Sequence, residues 1–223
     1  MKYLLIGSQT CPFVQRCLIT LMIKKADFDI QFLDLANKPE WFLKLSPTSK
    51  VPMLLIDGNV IFESTVINEF LNETLSPNLH PDDGIQRALN RGWIEFSSSL
   101  QSTLYAIAIA TEENKILQLK HELDEKLSIL ENTKKQEPYF NGNNFYLIDI
   151  AFAPFFLRLQ LIDKYYPLKL LINKPTMQQW SNNILNHSIV KKSNTSDYKS
   201  LILENFRIKK GIFSNFLPIP LCN

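Results

Sequence analysis

Apolar residues run in short bursts between polar turns over about the first third of the chain, and in long stripes at helical spacing over the rest. Residues 3–6 form a continuous apolar run that stops at Gly7, which predicts a short buried strand. Beyond Gly7-Ser8-Gln9-Thr10, the residues Val14, Cys17, Leu18, Leu21 and Met22 recur three and four apart, so a helix follows, with Arg16, Thr20 and Lys24 on its opposite side. Pro12 suits the first position of that helix, where a missing N–H costs nothing. Residues 29–35 predict a second strand, and strand, helix, strand in that order implies a right-handed parallel crossover. A short loop and a turn of helix cover residues 37–42. Residues 51–56 and 59–62 flank Asp57-Gly58, the strongest short-range hairpin signal. Val66, Ile67, Phe70 and Leu71 then mark the apolar face of a helix beginning at Glu63-Ser64-Thr65.

The stretch 76–84, rich in proline and turn formers, interrupts this pattern, and everything after it reads as helix. Leu89, Trp93, Phe96, Leu100, Leu104 and Ile107 make one stripe, and Ile116, Leu119, Leu123, Leu127 and Leu130 another, both at bundle spacing. A very apolar helix over about residues 147–162 is expected at the centre of the bundle. A further helix carries Met177, Trp180 and Ile184, and a solvated tail helix is expected over residues 198–210. The division expected is residues 1–77, a linker at 78–84, and a helical domain at 85–223.

Composition adds mainly exclusions. Twenty-four basic against 22 acidic residues leave a net charge of only +2, so no overall field calls for nucleic acid or an anionic membrane. The basic tail, 188–223, lacks the aromatic interleaving of a nucleic-acid site. The apolar run at 150–157 contains Pro154 and is far short of a membrane span. Three cysteines, Cys11, Cys17 and Cys222, are an odd number that argues against a disulfide framework and for a reducing, cytoplasmic setting. No phosphate loop or metal-ligand cluster is present in the sequence. His80, His121 and His187 are isolated and read as surface or structural residues.

Cys11 carries the chemistry. At a helix start it faces N–H groups without intrahelical partners and the positive end of the dipole, which favours a nucleophilic thiolate. From the residues alone, a small core side chain ahead of a proline is an equally good reading. Cys17 lies on the apolar face, and six helical residues span ~9 Å where a disulfide needs ~7 Å, so it is a core residue and not a partner for Cys11. With Val14 at the second position of a would-be Cys-x-x-Cys pair, any redox cycle is monothiol. A cis peptide at Val51-Pro52 would free Val51 to pair with an extended peptide, and the helix at Ser64 is a ready carboxylate site, or simply a serine N-cap.

Cys11-Pro12-Phe13 with Arg16, residues 37–42, Lys50-Val51-Pro52 and Glu63-Ser64 together resemble the active-site elements of the cytosolic glutathione transferases, specifically their cysteine-type, omega-like members, including the dehydroascorbate reductases of plants. Leu79-His80-Pro81, residues 88–96 and Pro138-Tyr139-Phe140-Asn141-Gly142 extend the likeness to bacterial omega-like transferases and over most of the chain. The resemblance implies an α/β N-terminal thioredoxin-like domain with an all-α C-terminal helical bundle, glutathione as co-substrate, and a homodimer. It also implies Cys11 as nucleophile and a glutathione site containing Phe13, Lys38, Val51, Glu63 and Ser64. One departure stands out: where the family has Ser or Thr three residues before Asp149, this chain has Tyr146, so half of a capping box is missing, a loss of ~1 kcal/mol unless another group caps that end. Thioltransfer or reduction through a glutathione mixed disulfide is the activity expected. Conjugation assisted by Ser8 or Thr10, a non-catalytic interaction protein on the same fold, like the polymerase-associated starvation proteins, and an intracellular chloride-channel type of protein are the alternatives.

Overall fold

A computed structural model describes residues 2–195 and 197–218; Cys222 lies outside them. Four strands, β1 (Tyr3–Gly7), β2 (Phe28–Phe32), β3 (Met53–Ile56) and β4 (Asn59–Phe62), form one sheet in the order β2-β1-β3-β4. The β1–β2 pair is parallel, across the crossover helix α1 (Pro12–Ile23), and the other two pairs are antiparallel. At the hairpin tip both Asp57 and Gly58 have positive φ, 47° and 83°, the combination a type I′ turn needs. Pro52 falls just ahead of β3, where it removes no ladder hydrogen bond, and the Val51-Pro52 peptide is cis.

Successive residues of β1 point to opposite faces, and both faces are covered. Leu5 packs with Val14, Cys17 and Leu21 of α1 and Ile67 and Leu71 of α3 (Ser64–Thr74). Ile6 meets Met53 and Phe42, the latter on α2 (Glu40–Leu45). Full burial of Phe42 alone is worth roughly 2–3 kcal/mol. The helical half comprises α4 (Gly84–Ile109), α5 (Glu113–Thr133), α6 (Leu147–Tyr165), α7 (Pro175–Asn186), the short α8 (Ser188–Lys192) and α9 (Tyr198–Lys209), then a 3-10 turn at Ile212–Phe216. Every residue of α6 from 147 to 159 is buried, as a helix apolar all round demands.

Three expectations from periodicity need correction. Arg16, Thr20 and Lys24, on the polar side of α1, are buried, because that side packs on α6 and on the segment between α3 and α4. Val66 and Leu89, assigned to apolar faces, are 53% and 59% exposed; spacing shows which residues share a face, and another element must be there to cover it. The tail helix α9 is not a solvated one: Tyr198, Ile202, Leu203 and Phe206 are buried.

The two halves are joined by polar side chains with few alternatives. Lys24 Nζ donates to the carbonyls of Asn72, Leu75 and Pro77 and to Asn72 Oδ1, closing the C-terminus of α3, and burial lowers its ammonium to about 8. His80 Nε2 lies 2.9 Å from Glu69 Oε1, and Arg91 grips the same carboxylate through two nitrogens, so α3, the connecting segment and α4 share one ion cluster. Burial works against the Glu69 carboxylate, but these partners bring it down to about 2. At α6 the carboxylate half of the capping box is kept, Tyr146 N–H donating to Asp149 Oδ2 at 2.9 Å, and a backbone group also caps that end, the Leu79 carbonyl accepting the Leu147 N–H at 2.9 Å. After α9, Gly211 passes so close to the end of α4 that a Cβ there would lie 2.6 Å from the Ile109 carbonyl carbon, and Ile212 N–H donates to the Ala110 carbonyl. Among the described residues no helix is long and apolar enough to cross a membrane.

Candidate functional site

Cys11 occupies the N-cap of α1 in extended geometry, its carbonyl accepting the Gln15 N–H. Burial pushes its thiol pKa up; the backbone N–H groups of Val14 and Phe13, then Arg158 and Arg16, pull the other way without overcoming it. A position at a helix start favours the thiolate, but here burial outweighs it. Cys17 is fully buried, its Sγ facing the Ser64 carbonyl, and burial raises its thiol far out of the neutral range.

Two buried arginines flank the loop that delivers Cys11. Arg158, from the middle of α6, donates to the Thr10 carbonyl at 2.7 Å, Tyr198 Oη at 2.9 Å, Gln15 Oε1 at 3.1 Å and the Pro154 carbonyl at 3.0 Å. Tyr198 in turn donates to Gln15 Oε1 at 2.6 Å. Arg16, 1% exposed, donates to the Ala151 carbonyl and to the hydroxyls of Ser97 and Ser98, and its guanidinium lies 4.9 Å from the Phe13 ring centroid. Both guanidinium groups are thus bonded to neutral oxygens; burial brings Arg16 down to about 10.

An Arg158→Met variant is expected to raise the Cys11 pKa further and slow its alkylation by iodoacetamide at pH 7 about tenfold, the effect of losing one nearby cation. Arg158→Lys keeps the charge and should recover part of the rate. An alkylation profile unchanged by both substitutions would remove Arg158 from the electrostatics of the thiol.

Two cavities meet at Phe13. One, of ≈ 320 Å³, contains Cys11 and is mostly apolar, walled by Phe13, Leu35, Tyr105, Ile202 and Phe206. The other, of ≈ 250 Å³, is lined by Phe13, Lys50, Val51, Pro52, Glu63 and Ser64, with Thr65, Glu95 and Ser98 nearby. The structure therefore brings four of the five predicted binding residues, Phe13, Val51, Glu63 and Ser64, around a single cavity. Lys38 lines neither; its Nζ donates to the Ser49 carbonyl at 2.9 Å, one residue from Lys50. Ser64 is the first residue of α3 rather than its cap. The cap position belongs to Glu63, held at φ 68° with no capping bond from its side chain. A non-glycine residue there costs of order 1–3 kcal/mol, and it leaves the first N–H groups of α3 without a side-chain acceptor at the cavity wall.

Lys50 belongs to one of the motifs singled out in the sequence, whereas Glu95, Gln101, Tyr105, Arg158, Ile202, Asn205 and Phe206, which also line the two cavities, were not legible there. Two signals were present: a lone arginine inside the most apolar helix, and the four-residue spacing of Tyr198, Ile202 and Phe206 in a tail judged by its charge.

Family models match both halves: the glutathione S-transferase N-terminal domain over residues 10–74 and the C-terminal domain over residues 95–187. Glutathione S-transferase omega-1 of Rattus norvegicus is 30% identical over 203 residues, covering 87% of this chain and 83% of that protein. The omega-1 enzyme of Sus scrofa is 35% identical over 157 residues, 69% of this chain and 65% of its own length. In three dimensions the chain is similar to the Tau class glutathione S-transferase of mango, Mangifera indica, with a TM-score of 0.82 at 26% identity over 92% of this chain and 98% of that one. With its sheet order, its thiol at the start of α1 and its helical half, the chain belongs to the glutathione S-transferases, as an omega-like member.

Proposed function

We propose that the protein is a glutathione-dependent thioltransferase or reductase that works through a mixed disulfide at Cys11. The observation that carries this reading is the common wall: Phe13 borders both the polar cavity at Val51, Glu63 and Ser64 and the apolar cavity that holds Cys11. Glutathione, the co-substrate of this family, fits the polar cavity as an extended peptide. Its γ-glutamyl carboxylate meets the first N–H groups of α3 and the Ser64 hydroxyl, its ammonium meets Glu63 or Glu95, and its glycyl carboxylate lies toward Lys50, with Lys38 beside it.

In the cycle proposed, the Cys11 thiolate attacks the glutathionyl sulfur of a mixed disulfide. The Cys11–glutathione S–S bond forms, the original S–S bond breaks, and the second thiol leaves with the electron pair and takes a proton. A second glutathione thiolate then attacks the glutathionyl sulfur, releasing glutathione disulfide and regenerating Cys11. Steady-state reduction of a small glutathione mixed disulfide, with mass spectrometry for one glutathionyl group on Cys11, tests the reading. Turnover with no adduct on Cys11, even when the second glutathione is withheld, would sink it. One feature favours conjugation as a second activity: Thr10 lines the same cavity, where its hydroxyl can donate to a glutathione thiolate, and burial disfavours the Cys11 thiolate.

Further features belong to the same reading. Residues 1–77 bind glutathione, 85–223 supply the second-substrate wall, and 78–84 join them in a cytoplasmic protein. Val66, Ile85 and Leu89 are exposed on α3 and α4, the helices that Glu69 and Arg91 tie together, and a second copy of the chain is the partner proposed for them. Sedimentation of the wild type as a dimer and of a Val66→Lys, Leu89→Lys double variant as a monomer is the expected result; a monomeric wild type would refute the pairing.

A further inference from the structure

Most polar side chains around Cys11 are already engaged. Thr10 Oγ1 accepts from Asn205 Nδ2 at 3.5 Å, Ser102 donates to the Ser98 carbonyl at 3.0 Å, and Arg158 donates to four oxygens. Gln101 is different. It lines the cavity, is 3% exposed, and its Oε1 has neither a hydrogen-bond donor nor solvent. Asn68 Oδ1 and His80 Nδ1 share that condition among the described residues, but neither residue lines the Cys11 cavity. Buried acceptors are nearly always paired, and one that is not marks a place where a donor is missing.

The group that supplies the donor is read from the rest of the cavity. Phe13, Tyr105 and Phe206 offer flat aromatic walls, and ≈ 320 Å³ accommodates a single-ring body beside the thiol. The terminal torsion of a glutamine is broad and roughly two-fold, so the carboxamide is free to turn about it while the α4 backbone stays in place. Resting on the reading that this cavity takes the group attached to glutathione, we propose that Gln101 is a specificity-determining residue. It selects second substrates whose apolar, ring-sized body carries a hydroxyl or N–H donor over isosteric hydrocarbons.

The test uses two unreactive thioethers, S-(4-hydroxyphenyl)glutathione and S-(4-methylphenyl)glutathione, which differ in a hydroxyl against a methyl of similar size. Calorimetric titration should show the wild type binding the hydroxyl compound about tenfold more tightly, the yield of one hydrogen bond. Gln101→Leu should erase the preference. Gln101→Met, which preserves volume and flexibility, serves as a second variant, and thermal melts verify the fold of both. Equal affinities in the wild type, or a preference that survives both substitutions, overturns the proposal. The corresponding aryl glutathione disulfides are then assayed for reduction. Thioether discrimination without disulfide turnover leaves Gln101 in its role and removes the reductase reading alone, whereas failure of the wild type to bind either thioether overturns both.

Discussion

Cys11→Ser should abolish reduction of glutathione mixed disulfides, lowering kcat/KM on the order of 10³-fold or more, while conjugation of glutathione to an electrophile persists or rises. A hydroxyl cannot form or break an S–S bond in exchange, so no neighbouring group rescues this step, whereas a hydroxyl beside the glutathione sulfur can donate to its thiolate. The wild-type rate should also climb with pH through neutrality. Burial raises the Cys11 pKa, so the thiol predominates at pH 7 and each increment of pH increases the thiolate fraction until the raised pKa is passed. Steady-state kinetics with one disulfide and one electrophilic substrate check both parts. Undiminished disulfide reduction by the serine variant would show that Cys11 is not the nucleophile.

Asp149→Ala should produce the largest loss of stability, about 3–5 kcal/mol, or roughly 10 °C in Tm for a chain of this length. The Asp149 carboxylate is completely buried and accepts the N–H groups of Tyr146 and Phe140 at 2.9 Å and the indole N–H of Trp180 at 2.7 Å. Truncation leaves the buried indole N–H and two partly buried backbone N–H groups unpaired at the start of the helix around which the bundle is packed. The pH dependence carries a definite sign. Burial lifts Asp149 to about 6 from 3.8, against the three N–H groups and Lys134. Its folded pKa lies above the unfolded one, so its contribution is fully present below about 3.8 and is lost as pH rises through about 6. That window spans about 3 kcal/mol. Urea unfolding of the wild type and of Asp149→Asn across pH 4–7 should show the asparagine variant lacking this component. A midpoint loss equivalent to less than 1 kcal/mol for Asp149→Ala would show that the network has another acceptor.

The N-terminal half was legible because its signals are local: a two-residue turn, short apolar bursts and a cysteine-proline helix start each fix their own geometry. The stripes of α5 and α6 were equally clear. What escaped was long-range. Arg16 and Lys24 were legible only as the side of α1 opposite its apolar stripe, because spacing says nothing about what covers that side: the Ala151 carbonyl of α6, 135 residues away, accepts the Arg16 Nε–H, and the carbonyls of Asn72, Leu75 and Pro77 accept from Lys24. Arg158 and Tyr198 meet Gln15 across 143 and 183 positions of chain, a convergence no window of sequence contains. The residues around the polar cavity were legible through four short motifs, which the fold brings together there, Lys38 excepted. The far walls of the second cavity were not, because Gln101, Ser102 and Tyr105 of α4, Arg158 of α6 and Ile202, Asn205 and Phe206 of α9 reach Cys11 only through the tertiary fold.

Gly211 gives the roof of that cavity its mechanical character. Helix α9 is fastened at its start through Tyr198 to Arg158, and just past its end, where Gly211 and Ile212 lie against Ile109 and Ala110 of the chain leaving α4. A span pinned at both supports does not swing as a flap would. Ile202 and Phe206 stand on that doubly fastened helix, whereas Leu35 and Tyr105, on the same cavity, are open to solvent. The wall that α9 gives the cavity is thus tied to the rest of the molecule at both ends, as a beam on two supports and not as a flap on one hinge.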